Sequence, residues 1–256
     1  MGHAEPNLQF EAILAERAAS PLAPRALHPD LAEMPILQDV SPEAMALLVG
    51  GAERLHIERG ATVFERDSQP TGLFFVASGS VKLLSLGPNN RPRVVELFEA
   101  GNMFGEIGVF TGAAYRTWTQ AITPTDLIHI SRNRVLAAVA KDHQLSLRML
   151  TAVAARTQRL IDSISCTSPS AANVRVAAYL LELQERSSRS DDQVILPAPK
   201  GTIASLLNLS QESLSRVLRR MRDAGLLRVT GRRIRIQDRD GLVSMIENDS
   251  GSTQPA

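Results

Sequence analysis

The sequence predicts an α+β chain in which an N-terminal antiparallel β-roll leads into a long helix and then a basic helical module closed by a β-hairpin. Three observations carry that reading. Short apolar runs broken by glycines fill residues 53–131, and a glycine-free stretch with a helical seam follows Ser131. Ten Lys/Arg against four Asp/Glu crowd residues 200–240, although the whole chain carries a net charge of only +1. At 256 residues, 44% hydrophobic and 21% charged, the chain can bury full cores and divide into two domains.

Composition excludes several classes. No run approaches the roughly 18 consecutive apolar residues that span a bilayer. The first residues carry Glu5, Glu11 and Glu16 where a signal peptide would be apolar. These features place the chain in the cytoplasm, with no membrane partner. The single cysteine, Cys166, cannot close an intramolecular disulfide or build a four-thiolate iron–sulfur site, and it reads as a small packing residue.

Residues 1–30 show no sustained period and read as a flexible N-terminal extension. A β-roll is expected over 31–132. It opens on a short helix at Ser41-Pro42-Glu43, where Ser41 suits the N-cap and Pro42 the first helical position. Its strands are expected at Leu55–Ile57, Thr62–Phe64, Leu73–Val76, Ser80–Leu84, Val94–Phe98 and Leu127–Ile130, punctuated by Gly60, Gly72, Gly79, Gly87 and Gly101. One helix is expected over 133–167. In it Leu150, Val153, Thr157, Leu160 and Ile164 recur at steps of three and four, and Ile161 widens the stripe. Such a seam implies a homodimer. Thr167-Ser168-Pro169 then breaks the helix at a hinge, because proline disfavours helical geometry in the residue before it.

Residues 168–248 are expected to form a winged helix-turn-helix, with a disordered tail over 249–256. A helix-turn-helix needs a small residue where its helices cross, a turn residue that tolerates a left-handed backbone, and apolar residues under the second helix. Ala204, Asn208 and the set Leu214, Val217, Leu218 and Met221 meet those needs in order. Ser210 suits the cap of the second helix, which exposes Gln211, Glu212, Ser215 and Arg216, the part that enters a major groove. The alternating Leu226–Ile236 hairpin with a Thr-Gly turn reads as a basic wing.

The Gln211–Arg216 segment, the Gly225-Leu226-Leu227 step and the wing resemble the reading head of the cyclic-AMP receptor protein / fumarate-nitrate regulator superfamily of bacterial transcription factors. The likeness runs over roughly residues 30–245. It implies a cytoplasmic DNA-binding homodimer on an inverted repeat of TTGAT-like half-sites, with RNA polymerase as a further partner. By that resemblance Gln211, Glu212, Ser215 and Arg216 contact bases. Arginine can bond guanine O6 and N7 in parallel, and a glutamate can accept from a cytosine amino group. Arg219, Arg220, Arg232, Arg233 and Arg235 are expected on phosphates.

In the roll, Phe104–Phe110 with Arg116-Thr117-Trp118 is similar to the phosphate-binding cassette of cyclic-nucleotide-binding domains. The likeness assigns effector contacts to Gly105, Glu106, Arg116 and Thr117, and makes the roll cyclic-nucleotide-binding-like. The bland alternative is a Glu106–Arg116 ion pair that closes a structural turn. Leu160 and Ile161 stand where the family offers hydroxyls to the base, which weighs against a familiar cyclic-AMP site. The effector therefore stays open, with a cyclic nucleotide as first reading and, as alternatives, haem or nitric oxide, or a regulator that needs no effector. Haem ligands would come from His3, His28, His56, His129 and His143, none of which sits in a motif. No nucleophile motif, Walker loop or metal-ligand cluster appears, so neither an enzyme nor a metal site is expected.

Overall fold

The computed structural model describes residues 31–87, 90–165, 171–186 and 193–250. The expected extension over 1–30, the hinge at Thr167-Ser168-Pro169, Cys166, His3, His28 and residues 251–256 lie outside them. The chain divides into two compact units, Met1–Ala154 and Ala155–Ala256.

The first unit opens with a 3-10 turn at Pro35–Leu37 and helix α1, Pro42–Val49. Ser41 Oγ accepts from Ala44 N, as expected of the cap. Strands β1 (Ala52–Ile57), β7 (Thr125–Ser131), β2 (Gly72–Ser78) and β5 (Met103–Phe104) form one antiparallel sheet in that order. Strands β4 (Pro92–Glu99), β3 (Ser80–Leu86) and β6 (Trp118–Ala121) form the other. The rolled sheets face each other across Leu55, Phe64, Phe74, Val76, Val81, Phe98, Phe104 and Leu127. The Leu73–Val76 run is continuously apolar because β2 is covered on both sides. Phe74 and Val76 enter the roll, whereas Leu73 and Phe75 meet a second cluster with Met45, Leu48, Val135, Ala138 and Leu145.

Two expectations are corrected here. Thr62–Phe64 is not a strand: Thr62 makes an isolated bridge to Gln120, and Phe64 N donates to Thr119 Oγ1. The single helix expected from 133 is two helices, α3 (Arg132–Lys141) and α4 (His143–Ser165). The break is Asp142. Its carboxylate accepts from Leu145 N at 2.9 Å, opening α4, and from Ser41 N at 2.7 Å, at the head of α1. Those backbone donors hold the carboxyl below its ordinary value. Helix α2 (Glu106–Thr111) lies between β5 and β6.

The second unit contains α5 (Ala171–Arg186), β8 (Gln193–Ile195), α6 (Lys200–Leu206), α7 (Gln211–Asp223), β9 (Leu227–Thr230), β10 (Arg233–Ile236) and α8 (Arg239–Ser250). The three strands form an antiparallel sheet in the order β8-β10-β9. Helix α8 carries through residues 249 and 250, which were expected in a disordered tail.

Candidate nucleic-acid interface and effector cassette

Helices α6 and α7 meet at Ala204, which is 1% exposed, and Asn208 turns the chain at φ 56°. Leu209 N donates to Ala204 O at 2.8 Å to close the turn. Ser210 Oγ then caps α7 by accepting from Ser213 N. Leu214, Val217, Leu218 and Met221 are buried beneath the helix. Burying that face forces the opposite one outward, so Gln211, Glu212, Ser215, Arg216, Arg219 and Arg220 are all exposed. Gln211, Glu212, Ser215, Arg216 and Arg219 line one shallow depression.

That face is ordered by its own hydrogen bonds. Ser210 Oγ donates to Ser213 Oγ at 3.1 Å, and Arg216 Nη2 donates to the same oxygen at 3.2 Å. The Glu212 carboxyl lies below its ordinary value, held chiefly by its own backbone N–H, then by the Ser210 hydroxyl and the Arg216 charge. An ionised acceptor and a delocalised donor thus stand one turn apart, the pairing suited to cytosine and guanine edges.

In the wing Thr230 pairs with Arg233 around a Gly231-Arg232 turn, in which Gly231 has φ 62°. The expected Thr-Gly turn is thus shifted by one residue. Ile234 and Ile236 point into the unit, and Arg233 and Arg235 point out. Arg232, expected on phosphates, is exposed and donates from both Nε and Nη2 to Leu196 O, at 2.9 and 2.6 Å. It fastens the turn to the end of β8. Arg228 also faces outward, directly opposite Arg235 in the sheet. Like charges so paired are destabilising unless an anion joins them. The signal for Arg228 was present in the alternation of β9, but its partner becomes visible only with the strand register.

In the roll, Gly105 caps α2 at φ 94°, and a β-carbon there would lie 2.9 Å from Gly72 O. Glu106 is buried, Thr117 is half-buried and Arg116 is exposed. Among the described residues no ion pair joins Arg116 to Glu106. Glu106 thus starts α2, while Arg116 and Thr117 precede β6. Beside them lies a residue missed by sequence reasoning, Tyr115. Its ring stacks on Phe64 at 3.8 Å and packs so closely on Gly108 that a β-carbon there would lie 2.7 Å away. Burial, and then the Glu106 charge, push its phenol upward. Phe64, Phe74, Phe98 and Phe104 continue the aromatic filling, with neighbouring centroids 5.1–6.1 Å apart.

The histidines in view are engaged or surface groups. His56 Nδ1 lies 2.8 Å from Asp126, His129 Nδ1 lies 2.7 Å from Glu53 with its ring on Phe74, and His143 is exposed. Among the described residues no three His, Cys, Asp or Glu side chains converge as a metal site would need. No helix among them is long and apolar enough to cross a membrane.

Along α4 the outward apolar line runs through Leu147, Leu150, Ala154, Thr157 and Ile161, with Leu150 65% and Ile161 50% exposed. Val153 and Leu160, expected on the dimer seam, are half-buried, and the Ile164 side chain lies outside the described set.

Comparison with known proteins agrees with both halves. The Cyclic nucleotide-binding domain family matches residues 54–142, and the Crp-like helix-turn-helix domain family matches residues 174–245. Together they account for more than half of the chain. The chain is 26% identical over 215 residues to the CRP-like cAMP-activated global transcriptional regulator of Mycobacterium tuberculosis, covering 83% of this chain and 96% of that protein. It shares the fold of FixK2 from Bradyrhizobium japonicum, with a TM-score of 0.68, 23% identity and coverage of 76% and 96% of the two chains. A CRP-family transcriptional regulator of Thermus thermophilus matches with a TM-score of 0.58, 25% identity and coverage of 75% and 96%. With a roll, a helix-turn-helix and a wing built as described, the chain belongs to the CRP/FNR family of DNA-binding transcription regulators.

Proposed function

We propose that the protein acts as a homodimer on an inverted repeat of TTGAT-like half-sites, each subunit laying α7 in one major groove. Arg216 donates two parallel hydrogen bonds to a guanine, Glu212 accepts from a cytosine amino group, Ser215 makes a shorter contact, and Gln211 meets the outermost pair. Arg219, Arg220, Arg228, Arg233 and Arg235 contact phosphates, which sets affinity and register without reading sequence. The dimer forms along the outward line of α4, and RNA polymerase is the further partner. The observation that carries this reading is the single exposed face on which Gln211, Glu212, Ser215 and Arg216 stand together.

Control comes from the roll. Glu106, Arg116 and Thr117, with the turn at Gly105, take a phosphate-bearing effector, a cyclic nucleotide as first choice. The family match over 54–142 and the exposed Arg116 support this. The effector shifts the population toward the arrangement that binds DNA, so it must bind that arrangement better than the other. Leu160 and Ile161 offer no hydroxyl to a base, so base preference comes from packing.

The test is fluorescence anisotropy of a labelled duplex holding the inverted repeat, against a scrambled duplex, with and without cyclic AMP. The expected result is selective binding that weakens by about a thousandfold between roughly 50 and 200 mM salt. Equal affinity for both duplexes, with or without nucleotide, would overturn it.

A further inference from the structure

We infer that Gly201 is a positioning residue for base recognition, acting through Gln211. Gly201 is the second residue of α6 and Gln211 the first of α7, and both are exposed. A β-carbon on Gly201 would stand 3.1 Å from Gln211 Oε1 and 3.9 Å from its Cδ. The carboxamide therefore lies back toward Gly201, close enough that a β-carbon there would push its oxygen aside by a few tenths of an ångström. Among the described residues no hydrogen bond holds it there, so its donor and acceptor stay available.

Gln211 also stands at the N-terminal end of the depression formed with Glu212, Ser215, Arg216 and Arg219. A carboxamide presents a donor beside an acceptor, the pattern that matches adenine N6 and N7. The bare α-carbon of Gly201 lets the carboxamide lie toward α6, where it meets the adenine of the outermost pair rather than the next pair inward. The inference rests on the reading of α7 as the groove-entering helix and adds one position to it.

Gly201→Ala is a clean probe. Gly201 has no positive φ, and alanine favours a helix over glycine, so the variant should melt no lower than wild type. Full-length wild type, Gly201→Ala, Gln211→Ala and the double variant each select from a duplex pool with a randomised core, and affinities of the selected duplexes and their single-base variants are measured by anisotropy. Wild type should prefer an A·T outermost pair by about fivefold or more, within the range of a bidentate contact. Gly201→Ala should cut that preference at least about threefold while the preference for the inner guanine, set by Arg216, stays unchanged. The double variant should match Gln211→Ala alone.

An outermost preference untouched by Gly201→Ala, a uniform loss at every position, or additive effects in the double variant would overturn the inference while leaving the operator reading intact. A wild type that selects no inverted repeat would overturn both.

Discussion

The reading head and the roll place their candidate side chains differently. On α7 four apolar residues pin the helix from below, so its polar row stands in solvent, with Arg216 already held by Ser213. In the roll Glu106 is buried while Arg116 stays exposed, and Tyr115 and four phenylalanines occupy the space between the sheets. DNA is a large surface that comes to an exposed array, and such an array needs no cavity. A small effector must be enclosed, so its contacts compete for volume with the core. One consequence is energetic. Exposed arginines contribute to binding and little to folding, whereas the aromatic filling contributes to folding first.

The largest expected effect falls on the roll. Phe74→Ala should lower its unfolding free energy by about 3–5 kcal/mol, since the ring is fully buried against Phe64, Phe104 and His129. Denaturant unfolding checks this, and a loss below about 1 kcal/mol would mean that the filling is loose.

Arg216→Ala should instead cost about 1–3 kcal/mol of discrimination at one guanine, with folding unchanged within about 0.5 kcal/mol because the side chain is exposed. Affinity for matched and mismatched duplexes, measured beside the melting curve, separates the two.

Asp142→Asn should destabilise by about 1–2 kcal/mol, because one amide oxygen cannot replace both carboxylate oxygens that accept from Leu145 N and Ser41 N. Its carboxyl titrates below the ordinary 3.8 when folded, so its contribution is full above that value and declines as pH falls through the folded one. The gap between wild type and Asn variant should therefore be constant near neutrality and close under acid; a gap that widens below the ordinary 3.8 contradicts the capping role.

Arg228→Ala should stabilise the free protein by a few tenths of a kcal/mol, up to about 1, by relieving the cross-strand repulsion with Arg235. The same change should weaken all duplexes alike and reduce the salt slope by about one. Arg116→Ala should move stability least, by less than about 0.5 kcal/mol, while abolishing any thermal shift that cyclic AMP gives the wild type. A lower midpoint without nucleotide would mark Arg116 as a structural residue.

Much of the head was legible along the chain because its signals are local. Ser210 caps the residue three places on, Asn208 takes the left-handed turn within a few residues of Ala204, and the wing alternates with period two. The same holds for the continuous run of β2 and the Ser41-Pro42 start of α1. Tertiary structure alone decided what depends on residues far apart. Asp142 caps α4 locally through Leu145, but its second bond, to Ser41 N 101 residues earlier, exists only in the folded roll. Trp118–Ala121 becomes a strand, and Thr62–Phe64 does not, because β3 offers β6 a full edge. Arg232 turns to Leu196 O only once β8 lies beside β10, and Tyr115 enters the cassette through Phe64 and Gly108. Periodicity and capping act over one or two turns of chain, so sequence alone determines elements and outward faces. Which groups share a volume is set by closure of the roll and register of its strands, and those exist only in the folded chain.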